Sequence, residues 1–224
     1  VNSVTRGFRD RAEAGRQLAR AVQPYVTDPR AVVLALPRGG VPVAYEVAMV
    51  LGLPLDVLCV RKLGVPFQPE LAMGAIASGG AVVRNDDVLA LVPDAERAFA
   101  TVLEREREEL ARRECAYRGD APPLDVRGRM AIVVDDGLAT GATMEAAARA
   151  VQMLDAKPVL VAVPVASPEA VERIERVAER VVTLRTPLWF GSVGQWYDRF
   201  EQTDDAEVTR LLAAAARARR PGSA

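Results

Sequence analysis

Apolar positions change their period along the chain, and the changes mark out its elements. Between Asp10 and Val22, the residues Ala14, Leu18 and Val22 recur every four positions ahead of Pro24, the spacing of a helix that buries one face. The pattern then becomes a continuous run, Ala31-Val32-Val33-Leu34-Ala35-Leu36, as expected of a strand buried on both faces, and Pro37-Arg38-Gly39-Gly40 ends it. Val41 to Leu51 reads as a helix and Leu55 to Val60 as a second buried strand. Residues 71–84 read as paired strands turning at Ser78-Gly79-Gly80.

Pro93 to Tyr117 differs in kind. It predicts a long charged helix in which Glu108 with Arg112, and Glu109 with Arg113, stand at the favoured i,i+4 spacing. Its apolar stripe of Phe99, Leu103, Leu110 and Tyr117 is narrow, so one side packs and the other meets water. As an insertion in the fold it is open to two roles, a lid or a structural contact surface. After the connector Ala121-Pro122-Pro123, an apolar strand (Met130 to Val134), a helix (Ala142 to Leu154), a strand (Val159 to Val165), a helix (Pro168 to Ala178) and a strand (Arg180 to Leu184) alternate. That alternation predicts an α/β fold, a doubly wound parallel sheet with helices on both faces, where ligands bind outside the carboxyl ends of the strands. Residues 1–212 read as a single domain, and the small, basic stretch Ala213 to Ala224 as a flexible tail.

Composition removes several chemistries. The 224 residues include no histidine, so this chain holds no Ser-His-Asp triad, Cys-His dyad or imidazole proton shuttle. Catalysis has to rest on carboxylates, Arg, Lys, hydroxyls, backbone amides or a hard metal. A formal charge of -1 gives no global attraction to nucleic acid or to an acidic membrane surface. Cys59 lies in an apolar run and Cys115 in a charged helical pattern, which reads as two reduced thiols. No apolar stretch reaches the roughly 20 residues of a membrane span, and residues 1–20 lack a secretory core, so the expectation is a cytoplasmic protein without nucleic-acid or membrane partners.

The most informative stretch is Val133-Val134-Asp135-Asp136-Gly137-Leu138-Ala139-Thr140-Gly141-Ala142-Thr143. A buried strand delivers two carboxylates to its end, and a small-residue loop then runs into a helix N-terminus. There backbone N–H groups, Thr140, Thr143 and the helix dipole favour an anion. A phosphate suits the loop, while the acids would accept hydrogen bonds from sugar hydroxyls. The expected ligand is therefore a sugar phosphate. No Walker-type or dinucleotide fingerprint is present.

Residues 132–144 resemble the phosphoribosyl diphosphate (PRPP) signature of the type I phosphoribosyltransferases: a hydrophobic strand, two acids, three variable residues and Thr-Gly-x-Thr. The resemblance implies that Asp135 and Asp136 hold the ribose hydroxyls and, directly or through water, Mg²⁺, and that Ala139, Thr140, Gly141, Ala142 and Thr143 cradle the 5-phosphate. Arg38, Gly39 and Gly40 stand where that family has its pyrophosphate loop. Arg61-Lys62-Leu63-Gly64-Val65-Pro66 is similar to an Arg-Lys-x-Gly-x-x-Pro stretch of adenine-type members, although Pro66 comes one residue early. Arg61 and Lys62 are then candidate diphosphate ligands acting in catalysis.

The implied activity is transfer of the 5-phosphoribosyl group of PRPP to a nitrogen heterocycle, with Mg²⁺ and release of pyrophosphate. Ala139 stands where 6-oxopurine enzymes carry an acid, as in adenine-type members, and Glu70 becomes the candidate acid for the base proton. A base-covering hood is expected at 185–200, where Trp189 or Phe190 could stack on a planar base. This stretch is similar to the 6-oxopurine hood, so the two hints conflict; a purine-like acceptor is favoured without being assigned. The family also admits a homodimer. Two alternatives stay open, a regulator that senses PRPP or a nucleotide without turnover and another sugar-phosphate enzyme.

Overall fold

The computed structural model describes residues 7–119 and 121–219. In chain order the elements are α1 (Arg11–Val22), β1 (Val32–Ala35), α2 (Gly40–Leu51), β2 (Leu55–Val57), β3 (Val60–Val65), β4 (Gln68–Ala77), β5 (Val82–Arg84), α3 (Asp86–Leu89), α4 (Ala95–Arg118), β6 (Ala131–Val134), α5 (Ala142–Met153), β7 (Val159–Val165), α6 (Pro168–Glu175), β8 (Arg180–Arg185) and α7 (Asp205–Ala218).

Five of the strands form a parallel sheet in the order β2-β1-β6-β7-β8. Their apolar runs are buried on both faces, as the unbroken pattern demands. Val33, Ala35, Ile132 and Val134 share one core with α1, α2, α4 and α7; Val32, Leu34, Val133 and Val161 share the other with α5 and α6. Each fully buried Val or Leu contributes about 1.5–3 kcal/mol. The chain runs outward from β1 to β2, then returns to the other side of β1 with β6, so the winding reverses between β1 and β6. These strands pair with Ala35 opposite Val134, and Leu36 N–H continues the ladder to Val134 O at 2.9 Å. The segments after β1 and after β6 therefore leave side by side at the switch point where such sheets bind ligands.

Several expectations need correction. The second strand, expected to run to Val60, stops at Val57, and Arg61-Lys62-Leu63-Gly64-Val65, expected only to follow it, is itself part of a strand. As β3 it pairs antiparallel with β4, and β4 with β5, in a separate three-stranded sheet. The register shifts twice around Gly64, which obscures the alternation in the sequence. The supposed tail is helical through Ala218: Val208, Leu211 and Ala215 are buried along one face of α7, and the intervening alanines are strong helix formers. Residues 220–224 lie outside the described residues.

Helix α4 lies against β3, β4 and α7, with Phe99, Val102, Leu110 and Tyr117 buried and Leu103 only half-buried. Arg112 and Arg113 both turn to Glu109, at 2.7 and 2.8 Å, in place of the expected Glu108–Arg112 pair. Both cysteines are free, Cys59 buried and Cys115 exposed. Burial pushes the Cys59 thiol up to about 12, so it stays protonated and inert at neutral pH. Among the described residues no helix is long and apolar enough to cross a membrane.

Candidate active site

The carboxyl ends of β1 and β6 converge on the acidic pair. Gly39 and Gly40 are required here by close approach. A Cβ on Gly39 would stand 2.2 Å from Asp136 Oδ2, and one on Gly40 would stand 2.7 Å from Val134 O and 2.9 Å from Asp135 Cα. The segment after β1 is thereby packed directly onto the carboxylates. Its Pro37–Arg38 peptide bond is cis. The Arg38 side chain is turned toward the start of α7, 3.7 Å from Asp205 Oδ1, which also accepts the Tyr117 hydroxyl at 2.7 Å.

Asp135 Oδ1 accepts the Asp136 N–H at 2.8 Å. Burial, and then the charge of Asp136, hold the Asp135 carboxyl well above the ordinary carboxylate range. Burial also raises Asp136, but there the Arg11 guanidinium pulls the other way. Arg11 opens α1 and was not among the residues picked from the sequence. Its Nε and Nη2 each lie 2.8 Å from Asp136 Oδ2, and Nη1 donates to Glu201 O at 2.6 Å. Tyr197 falls within the stretch 185–200 expected as a hood, and its hydroxyl donates to Asp136 O at 2.5 Å.

Beyond the acids, Gly137 and Leu138 are buried, whereas Ala139, Thr140, Ala142 and Thr143 are exposed. Gly141, at φ 73°, takes the left-handed conformation that turns the chain into α5 and suits glycine. The first N–H groups of α5 have no intrahelical acceptor and face outward with the positive end of the helix dipole. Buried Ser167, just beyond β7, anchors the loop: its hydroxyl donates to Ala139 O at 2.7 Å while accepting the Ala170 N–H that it caps. A Ser-Pro pair at a strand-to-helix junction was the available signal for it.

The candidate residues on β3 and β4 are arranged differently. Arg61 and Lys62 line a groove of about 790 Å³ together with Ala142 and Thr143, so the structure brings the basic pair beside the start of α5. Arg61 is held by Glu106 of α4, with contacts of 2.8 and 2.6 Å. Glu106 is only 7% exposed and occupies a position on the helix's apolar stripe, a signal missed in the sequence. Lys62 reaches Glu70 at 3.2 Å, and Glu70 is 96% exposed. In the stretch expected as a hood, Phe190 packs partly against the cluster of Phe8 and Tyr197, while Trp189 is 92% exposed.

A parallel sheet with an acid pair and a helix-terminal loop at its switch point defines an α/β protein built on the plan of ligand-binding doubly wound sheets. The phosphoribosyl transferase domain family matches residues 11–199, and the chain belongs to that family. It is 48% identical over 205 residues, 92% of its length, to proteins from two strains of Mycobacterium tuberculosis, each named "Putative phosphoribosyl transferase". The chain spans 46%, about half, of the length of these curated relatives. The crystal structure of TT1426 from Thermus thermophilus is similar at 44% identity and a TM-score of 0.83, covering 93% of this chain and 98% of that one.

Proposed function

We propose that the chain transfers the 5-phosphoribosyl group of PRPP to a nitrogen heterocycle, a purine-like base being favoured, and releases pyrophosphate. The observation that carries this reading is the packing of Gly39 and Gly40 against the acid pair beside the open start of α5. It supports a phosphate on Ala139 to Thr143, ribose over the acids and diphosphate along the segment after β1, with Arg38, Arg61 and Lys62 supplying cations. Glycosidic displacement through an oxocarbenium-like state then rests on positioning and on charge complementarity. Glu70, highly exposed, is the proposed acceptor of the base proton.

Among the described residues no group of three or more acidic, cysteine or histidine side chains forms a metal cage. The donor set, hard carboxylate oxygens beside a diphosphate site, fits Mg²⁺ carried mainly by the substrate, with the acid pair touching it directly or through water. When bound, the cation offsets charge on the departing diphosphate.

The test is to follow pyrophosphate release from PRPP and Mg²⁺ across a panel of purines, pyrimidines and other nitrogen heterocycles. Release with one of them is expected and names the acceptor. Tight PRPP binding with no turnover on any of them would replace the enzyme with a sensor.

A further inference from the structure

The two acids are adjacent in sequence, yet the fold treats them differently. Asp136 is held on several sides. Its Oδ2 takes both Nε and Nη2 of Arg11 at 2.8 Å, its carbonyl takes the Tyr197 hydroxyl, and a Gly39 Cβ would stand 2.2 Å from Oδ2 and 3.3 Å from Oδ1. Arg11 is itself fixed. Its guanidinium carbon lies 3.9 Å from the centroid of the Phe200 ring, its third nitrogen binds Glu201 O, and its side chain is only 12% exposed. An arginine stacked, hydrogen-bonded and buried in this way cannot leave the carboxylate without giving up all three contacts. Asp135, by contrast, accepts one neighbouring N–H and makes no ion pair among the described residues.

We infer that the pair divides its work: Arg11 is a positioning residue that locks Asp136 as a strut beneath the Gly39-Gly40 segment, and Asp135 alone supplies the carboxylate that meets the ribose hydroxyls. The inference rests on the PRPP reading above and deepens it. The strut joins three parts that are remote in sequence: the start of α1, the segment after β1 and the Tyr197–Phe200 cluster after the last strand. Loss of the strut loosens the floor under PRPP, whereas loss of Asp135 removes a direct contact.

The experiment compares Asp135→Asn, Asp136→Asn, Arg11→Met, Arg11→Lys and the double variant Arg11→Met/Asp136→Asn. PRPP affinity is measured calorimetrically with Mg²⁺, Tm in the absence of ligand, and KM and kcat wherever turnover is present. Asp135→Asn is expected to weaken PRPP binding by about 100-fold without lowering Tm. Asp136→Asn lowers Tm and weakens PRPP by no more than about 10-fold. Arg11→Met raises the KM for PRPP by about 10-fold while kcat stays within about 3-fold, Arg11→Lys restores most of that loss, and the double variant is no worse than Arg11→Met.

Two results would overturn the inference while leaving the PRPP reading in place. One is a folded Asp136→Asn that loses PRPP as deeply as Asp135→Asn. The other is an Arg11→Met whose Tm falls with no change in the KM for PRPP. A wild-type chain that does not bind PRPP at all would instead overturn the functional reading, and the inference with it.

Discussion

The two halves of the site are built on opposite plans. At the carboxyl ends of the parallel strands, Asp135, Asp136, Arg11 and Tyr197 are bound to one another and to backbone, and glycines are pressed against the acids. On the antiparallel sheet, Lys62 is about half exposed, Glu70 is almost wholly exposed, and Phe67 at the tip between β3 and β4 is completely so. The first half is preorganised, with its groups already held in place by one another. The second half faces water, and its charged groups offset one another across an exposed pair worth little to stability. In the account proposed here, the rigid half holds the part of PRPP that does not change, the phosphorylated ribose. The solvent-facing half serves the groups that leave and arrive.

Substitutions in the rigid half should have the larger effects. Gly39→Ala forces a methyl group into Asp136 Oδ2, with overpacking that costs about 1–3 kcal/mol and displaces the strut, so kcat/KM for PRPP should fall by about 100-fold. Steady-state kinetics on the folded variant checks it; a loss under about 3-fold would mean the approach is not needed.

Asp135→Asn should separate stability from function. Because burial raises the Asp135 carboxyl, the folded chain binds that proton more tightly than the unfolded chain. The stabilisation from protonation is complete below the unfolded carboxylate range and is lost as pH rises through the folded value. At neutral pH the asparagine variant is therefore expected to melt a few degrees higher than wild type, and the gain should shrink as pH is lowered through that window. A gain that grows toward acid pH would contradict the sign of the shift.

In the exposed half, Lys62→Ala should leave stability within about 0.5 kcal/mol of wild type and lower turnover by about 10-fold. Denaturant titration together with kinetics checks both parts. A large stability loss would show that the antiparallel sheet is as tightly built as the strand ends.

How much of this was legible in the sequence follows the same division. Unbroken apolar runs announce strands buried on two faces, and the strand-acid-acid-loop-helix order announces the turn from β6 into α5, because both are local. Strand β3 was missed because Val60 to Val65 mixes charge with a register shift at Gly64. Arg11 was missed because its partner lies 125 residues away. A faint signal existed, since a cation in the first turn of a helix opposes the dipole and needs another reason to be there. Glu106 carried a stronger one, standing in line with Phe99, Val102 and Leu110 on a buried face where an acid has to find a cation. The tail failed for a different reason: small alanines look uncommitted until α2 and α4 offer α7 a surface to cover.

The most direct measurement is a calorimetric titration with ribose 5-phosphate, which has the phosphate and the hydroxyls but no diphosphate. The account predicts saturable binding, one molecule per chain, that is unchanged in Lys62→Ala and lost in Thr140→Val/Thr143→Val. Binding that depends on Lys62 and ignores the two threonines would contradict it.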